Sequence, residues 1–234
     1  MEIRIGIAKV GKYAVGGSGD SVEVVERPRG GMSIVIVDGQ GHGRSAKRLS
    51  HQVAIKAANL IAEGARDGAV MRTASDYLYT LRDGKVSATL TVLTADLDHR
   101  VLVVSRNSNC PVIIMQIDGS SCLDSDVTPI GVHRHNRPSI SHWPMYPGTM
   151  VVGFTDGVVH AGRYSGEYLF SLEEVQKIIA QHQDCPQTVA DRLIDYAIQA
   201  EKGKPKDDML VAALAVYDRD KELGIRRMMV SYPF

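Results

Sequence analysis

Residues 32–43, M-S-I-V-I-V-D-G-Q-G-H-G, constrain the chain more than any other stretch. Ile34, Val35, Ile36 and Val37 form a short continuous run of apolar, mostly β-branched residues, the pattern of a strand buried on both faces. The run ends at a carboxylate, Asp38, so a charged group is delivered to the C-terminal end of a core strand. The glycines at 39, 41 and 43 let the backbone fold tightly around whatever that carboxylate holds. Carboxylate and main-chain carbonyl oxygens are the ligands that Mg²⁺ and Mn²⁺ accept, so such a turn is a good mount for a hard cation. A plain strand-to-helix turn has the same local pattern, and the rest of the chain has to decide between the two.

Several function classes drop out early. The 234 residues provide one domain or a tightly joined pair with ample core, and 44% apolar with 23% charged residues is an ordinary globular composition. Lys plus Arg and Asp plus Glu each number 27, so no global field draws the chain to nucleic acid or to an anionic membrane. Cys110, Cys122 and Cys185 are too few and too widely spaced for a disulfide framework or a zinc site, which points to a reducing, cytoplasmic setting. The N-terminus alternates apolar and polar residues, unlike a signal peptide, and no apolar run approaches the roughly 20 residues of a membrane span.

In chain order, Ile3, Ile5 and Ile7 mark a half-buried strand, and a second begins at Val22 with Asp20 at its entrance. Short turns around the first three strands argue for antiparallel pairing among them. Apolar residues recurring every three or four positions predict helices over 44–65 and 70–81. Strands follow at 87–93, 101–104 and 112–115, the first two joined by an Asp-rich hairpin, and then a weakly patterned segment and a surface loop with His133, His135 and His142. Residues 150–155 repeat the opening device, a strand ending in Asp156-Gly157. Ser171 with Glu174 reads as a capping box, Pro186 opens another helix, and the last strand, from Met209, is entered through Asp207 and Asp208.

Aspartates therefore stand at strand ends or entrances at 20, 38, 156 and 207. Brought together without metal they would repel and be driven to take up protons, a conflict that a pair of divalent cations removes. Periodicity alone does not show that they converge. The set G-D at 19–20, D-G-x-G-x-G at 38–43, S-A-T-L at 87–90, P-G-x-x-x-x-x-x-T-D-G at 147–157 and D-D-M at 207–209 resembles the metal-dependent type-2C protein serine/threonine phosphatases. The resemblance is to their bacterial branch of the SpoIIE, RsbU and RsbX kind, and it runs in order from residue 3 to about 217.

The resemblance implies an α/β fold of the α+β kind, a four-layer α-β-β-α sandwich whose two antiparallel sheets are flanked by helix pairs. Residues 1–217 would form the phosphatase domain and 218–234 an extension to which no role is assigned. It implies two Mn²⁺ or Mg²⁺ ions, with Asp38 bridging both and the Gly39 carbonyl bound to one of them. Asp156 and Asp207 would complete the shell of the second ion, and Asp20 would be a further ligand or hold a water on the metal. Asp208 would support a ligand from behind or cap the backbone. Water between the metals would be the nucleophile. The implied partner is a phosphorylated regulatory protein, an anti-sigma-factor antagonist or stressosome component.

Two departures matter. Where the eukaryotic branch has a histidine directly after Asp-Gly, this chain has Gln40, and His42 follows two residues later as either a general acid or a helix-start residue facing solvent. The phosphate-binding arginine of the eukaryotic enzymes has no secure counterpart, although Arg4, Lys9 and Lys12 lie nearby in sequence. Because the chain begins at the first strand, a compact RsbX-like phosphatase is the expected comparison. A partner-binding relative without catalysis and a phosphatase of small phosphoesters are the alternatives. Four placed aspartates speak against the first, and G-G-S-G-D lacks the Lys-Ser/Thr of a P-loop that would support a nucleotide.

Overall fold

The computed structural model describes residues 1–15, 17–41, 43–163, 171–219 and 224–231. Among these described residues ten strands form two five-stranded sheets in which every pairing is antiparallel. One sheet has the order β1 (Glu2–Val10), β10 (Met209–Tyr217), β9 (Met150–Phe154), β6 (Val112–Gln116), β7 (Gly119–Leu123). The other runs β2 (Ser21–Glu26), β3 (Gly31–Gly39), β4 (Ala88–Asp96), β5 (Val101–Asn107), β8 (Ser139–Pro144). Helices α1 (Gly43–Ala62) and α2 (Asp67–Arg82) follow β3, the short α3 (Asp156–Val159) follows β9, and α4 (Leu172–Gln181) and α5 (Pro186–Ala200) precede β10.

The doubly apolar runs explain the layering, because successive side chains of a strand point to opposite faces. Ile34 and Ile36 of β3 meet Leu210, Ala212 and Leu214 of β10 between the sheets. Val35 and Val37 point the other way and pack under Leu49, Val53 and Ala57 of α1 and Met71 and Leu78 of α2. Val211 and Ala213 of β10 likewise pack beneath Val189, Leu193 and Ala197 of α5 and Val175 and Ile179 of α4. Two sheets face to face with a helix pair on each outer side is the expected α-β-β-α sandwich.

Three local expectations are corrected. β1 does not join β2 and β3; it pairs with β10 along its whole length, from Glu2↔Tyr217 to Val10↔Met209. The chain after β1 crosses to the other sheet instead, and that crossing carries Asp20 to the rim. β7, G-S-S-C-L, has too little apolar alternation to stand out in sequence. His142 lies not in a loop but in β8, which pairs with β5 at Val103↔His142 and alternates half-buried with exposed residues as an edge strand does. No described helix is long and apolar enough to cross a membrane.

A buried polar knot fixes the start of α2 against the sheet of β3 and β4. Thr94 donates its hydroxyl to Asp67 at 2.6 Å and lies 2.8 Å from the Ser33 hydroxyl, while Arg27 donates to Ser33 at 3.1 Å and stands 3.5 Å from the Asp67 carboxylate. Both ion-pair partners are nearly buried, at 10% and 9% side-chain exposure, so removing one leaves the other as an uncompensated charge. Arg27→Ala is expected to cost about 3 kcal/mol in urea unfolding. Arg27→Ala combined with Asp67→Ala is expected to cost less than the sum of the single changes, because no lone charge remains.

Candidate active site

Antiparallel register brings the aspartates to one rim. In one sheet Ser21 lies opposite Val37, so Asp20, just before β2, sits beside Asp38 near the end of β3. In the other, Val211 lies opposite Phe154, so Asp207 and Asp208, just before β10, sit beside Thr155 and Asp156, just after β9. Each sheet thus contributes one strand end and one strand start, a juxtaposition that only antiparallel neighbours produce.

Hydrogen bonds between the two halves staple that rim. Thr155 donates its hydroxyl to Asp20 Oδ2 at 2.8 Å and accepts the Leu210 amide at 2.9 Å. Asp208 accepts the Gly19 amide at 2.6 Å through one oxygen and the Lys12 amide at 2.9 Å through the other. Both Asp208 oxygens are therefore committed to backbone amides of the crossing segment. The Asp-Gly pairs have a steric reason as well: a Cβ on Gly157 would stand 2.1 Å from the Asp208 carbonyl oxygen, and one on Gly39 would stand 2.7 Å from that of Ala46. Gln40, where the eukaryotic branch has histidine, accepts hydrogen bonds from the Ser87 amide at 2.9 Å and hydroxyl at 3.2 Å and so latches the turn to the start of β4.

The electrostatics record the crowding. Burial, then repulsion from Asp20, Asp156, Asp207 and Asp208, pushes the Asp38 carboxyl up to about 8. Burial also raises Asp20, only 1% exposed, to about 7, against the Thr155 hydrogen bond that favours its charged form. Asp156 is raised by burial and by Asp207, with His160 opposing. Lys9 and Lys47 donate to the main-chain oxygen of Asp20 at 2.7 and 3.1 Å, and burial together with Lys47 lowers the Lys9 amine to about 8. A cavity of about 690 Å³ reaches Asp207 and Gly157 and is edged by Lys12, His160 and Arg163.

Of the expected site residues, Asp20, Asp38, Asp156, Asp207 and Asp208 gather at this rim, with Gly39 beside Asp38; His42 lies outside the described residues. Among the described residues no group of three or more His, Cys, Asp or Glu side chains is arranged to hold a metal ion. Arg4 is occupied at the other end of β1, stacked over the Tyr217 ring at 4.5 Å and bonded to Glu2. Thr155 and Lys47 are site residues that the sequence does not single out. The T-D-G string contains the first, but nothing in the chain signals that its hydroxyl reaches a residue 135 positions away.

The fold is that of the PP2C-type phosphatase domains. The chain belongs to the SpoIIE family, whose model, Stage II sporulation protein E (SpoIIE), matches residues 28–217. Stage II sporulation protein E of Priestia megaterium is 21% identical over 206 residues, which is 88% of this chain and 35% of that protein, so the chain spans about a third of this relative's length. The solved PP2C phosphatase domain of Bacillus subtilis SpoIIE, with a fragment of its regulatory domain, superposes with a TM-score of 0.79 at 21% identity and covers 92% of this chain and 64% of its own. RsbX in complex with magnesium superposes with a TM-score of 0.72 at 14% identity, covering 91% and 94% of the two chains.

Carboxyls raised in the folded state favour the protonated form, so the stability they allow is full below the ordinary carboxylate range and is lost as pH climbs through their folded values. In chelator, the urea midpoint is expected to fall from pH 5 to pH 7.5, a window below the Lys9 value. Asp38→Asn is expected to flatten that fall.

Proposed function

We propose that this chain is a metal-dependent serine/threonine phosphoprotein phosphatase acting on a bacterial stress- or sporulation-signalling protein. The observation that carries the reading is the set of mutually repelling, half-buried to buried carboxyls at the rim of a PP2C-type fold. Such a cluster is poorly stable by itself and is relieved by cations. Every donor is oxygen, which suits Mg²⁺ and Mn²⁺ and not a soft metal. Mg²⁺ commonly takes one or two carboxylates and keeps water in its other positions, so carboxylates meeting in pairs fit it.

In this reading Asp38 would be the ligand common to two ions, the Gly39 carbonyl would bind one, Asp156 and Asp207 would bind the other, and Asp20 would be a further ligand or hold a water. When bound, the ion pair supplies a Lewis-acid clamp on the phosphoryl oxygens and an acidified water. The chain's own residues do the positioning. Thr155 fixes one oxygen of Asp20, Asp208 holds the crossing segment that carries it, and Lys12 lies at the mouth where a phosphate enters. In the hydrolysis a water oxygen bonds to phosphorus as the bond to the serine or threonine oxygen breaks, and that oxygen takes up a proton. His42 is the proposed proton donor. The substrate is a phosphorylated regulatory protein, an anti-sigma-factor antagonist or stressosome component, and the setting is the cytoplasm, where the three free cysteines are compatible with reducing conditions.

Mn²⁺ is expected to raise the melting temperature, as a ligand of the folded state alone must. Asp38→Asn is expected to abolish both this shift and hydrolysis of p-nitrophenyl phosphate, whereas full activity in chelator overturns the reading. His42→Ala is expected to reduce turnover of a phosphoserine peptide far more than that of p-nitrophenyl phosphate, whose leaving group needs no proton. Equal losses on the two substrates remove His42 from the acid role.

A further inference from the structure

On the other side of Asp20 lies a second cavity, of about 400 Å³, bounded by the first turns of α1 and by β1 and β2. Each of these strands is the edge of its sheet. Lys9 of β1 and Arg44, Lys47 and Arg48 of α1 line it, with a single carboxylate, Glu23, which stands 3.8 Å from His51. The spacing of 44, 47, 48 and 51 puts these α1 residues on one helical face. Lys9 and Lys47 turn their amines to the Asp20 carbonyl and thereby join the cavity to the carboxylate centre. Arg44 and Arg48 are exposed, and among the described residues neither has a carboxylate within ion-pair distance. In a chain of zero formal net charge, four cations against one carboxylate is a local field that favours an anionic occupant.

Resting on the phosphatase reading, we infer that this cleft docks an acidic segment of the phosphoprotein substrate, next in sequence to its phosphorylated residue. The charge is complementary, and the cleft adjoins Asp20, so a chain seated in it continues toward the rim where the phosphate is cleaved. Among the described residues β2 pairs with β3 alone, and Arg226 touches it only at Glu26, its far end, which leaves the outer edge beside the cleft to an extended peptide. A single-stranded nucleic acid is the poorer match, because among the described residues no Phe, Tyr or Trp lines the cleft to stack a base.

The test compares phosphoserine peptides of equal length carrying acidic or neutral residues beside the phosphoserine, with the wild type, R44E/R48E and R44Q/R48Q. The wild type is expected to prefer the acidic peptide in kcat/KM. R44E/R48E is expected to cut that preference about tenfold, mainly through KM, with the glutamine pair falling between. Rising salt is expected to erode the wild-type preference. A preference untouched by charge reversal overturns the inference. Failure of every form to hydrolyse either peptide overturns the phosphatase reading instead, and docking is then decided by fluorescence anisotropy with an unphosphorylated acidic peptide. Weaker binding by R44E/R48E supports docking; equal binding, or tighter wild-type binding of an oligonucleotide of the same charge, overturns it.

Discussion

The burial of carboxylates at one rim, compounded by their mutual repulsion, is the constraint around which this molecule is built. Asp20, Asp38 and Asp156 are each raised by burial and then by neighbouring aspartates, so charge at this rim opposes folding as pH rises toward neutral. Something else has to hold it closed. The sheets do so from below, with fully buried β3 and β10 side chains interlocked between them, and the helices do so from outside. A site that loses stability by itself is tolerable only on a scaffold whose packing does not depend on it.

The staples across the rim show how position is kept. Thr155 and Asp208 belong to the sheet of β9 and β10, yet their partners, Asp20, Gly19 and Lys12, lie on the segment that crosses to the other sheet. These bonds set the separation of the two carboxylate pairs. The two Asp-Gly glycines serve the same end, since a side chain at either would force a backbone apart from its neighbour.

Much of this was legible in the chain. The run of Ile34 to Val37 gave the buried strand because both its faces are covered, and helical periodicity gave the two outer pairs because each exposes one polar face. The aspartates were legible as strand-end residues, since a charge set directly after an apolar run marks the point where a strand leaves the core. What escaped was long-range or weakly patterned. The β1–β10 pairing joins residues 2–10 to residues 209–217, and no local signal distinguishes it from a hairpin with β2. β7 and β8 are edge strands, whose one-sided burial leaves them too polar to stand out. Thr155 was inside a recognised string, but its function is a contact rather than a composition.

Asp20 also stands where an acidic and a basic face of a chain with no net charge meet. Its carboxylate belongs to the acidic rim, and its carbonyl takes the amines of Lys9 and Lys47 on the basic side. Swapping charges between these two faces would leave the formal total unchanged while destroying both local fields, so the composition is silent about an arrangement on which the chemistry depends. Burial, with Lys47 beside it, lowers the Lys9 amine, and burial, with the neighbouring aspartates, raises the Asp38 carboxyl, so each face gathers charge of one sign. The balance of 27 basic and 27 acidic residues thus conceals two local surfaces of opposite sign, which meet at Asp20.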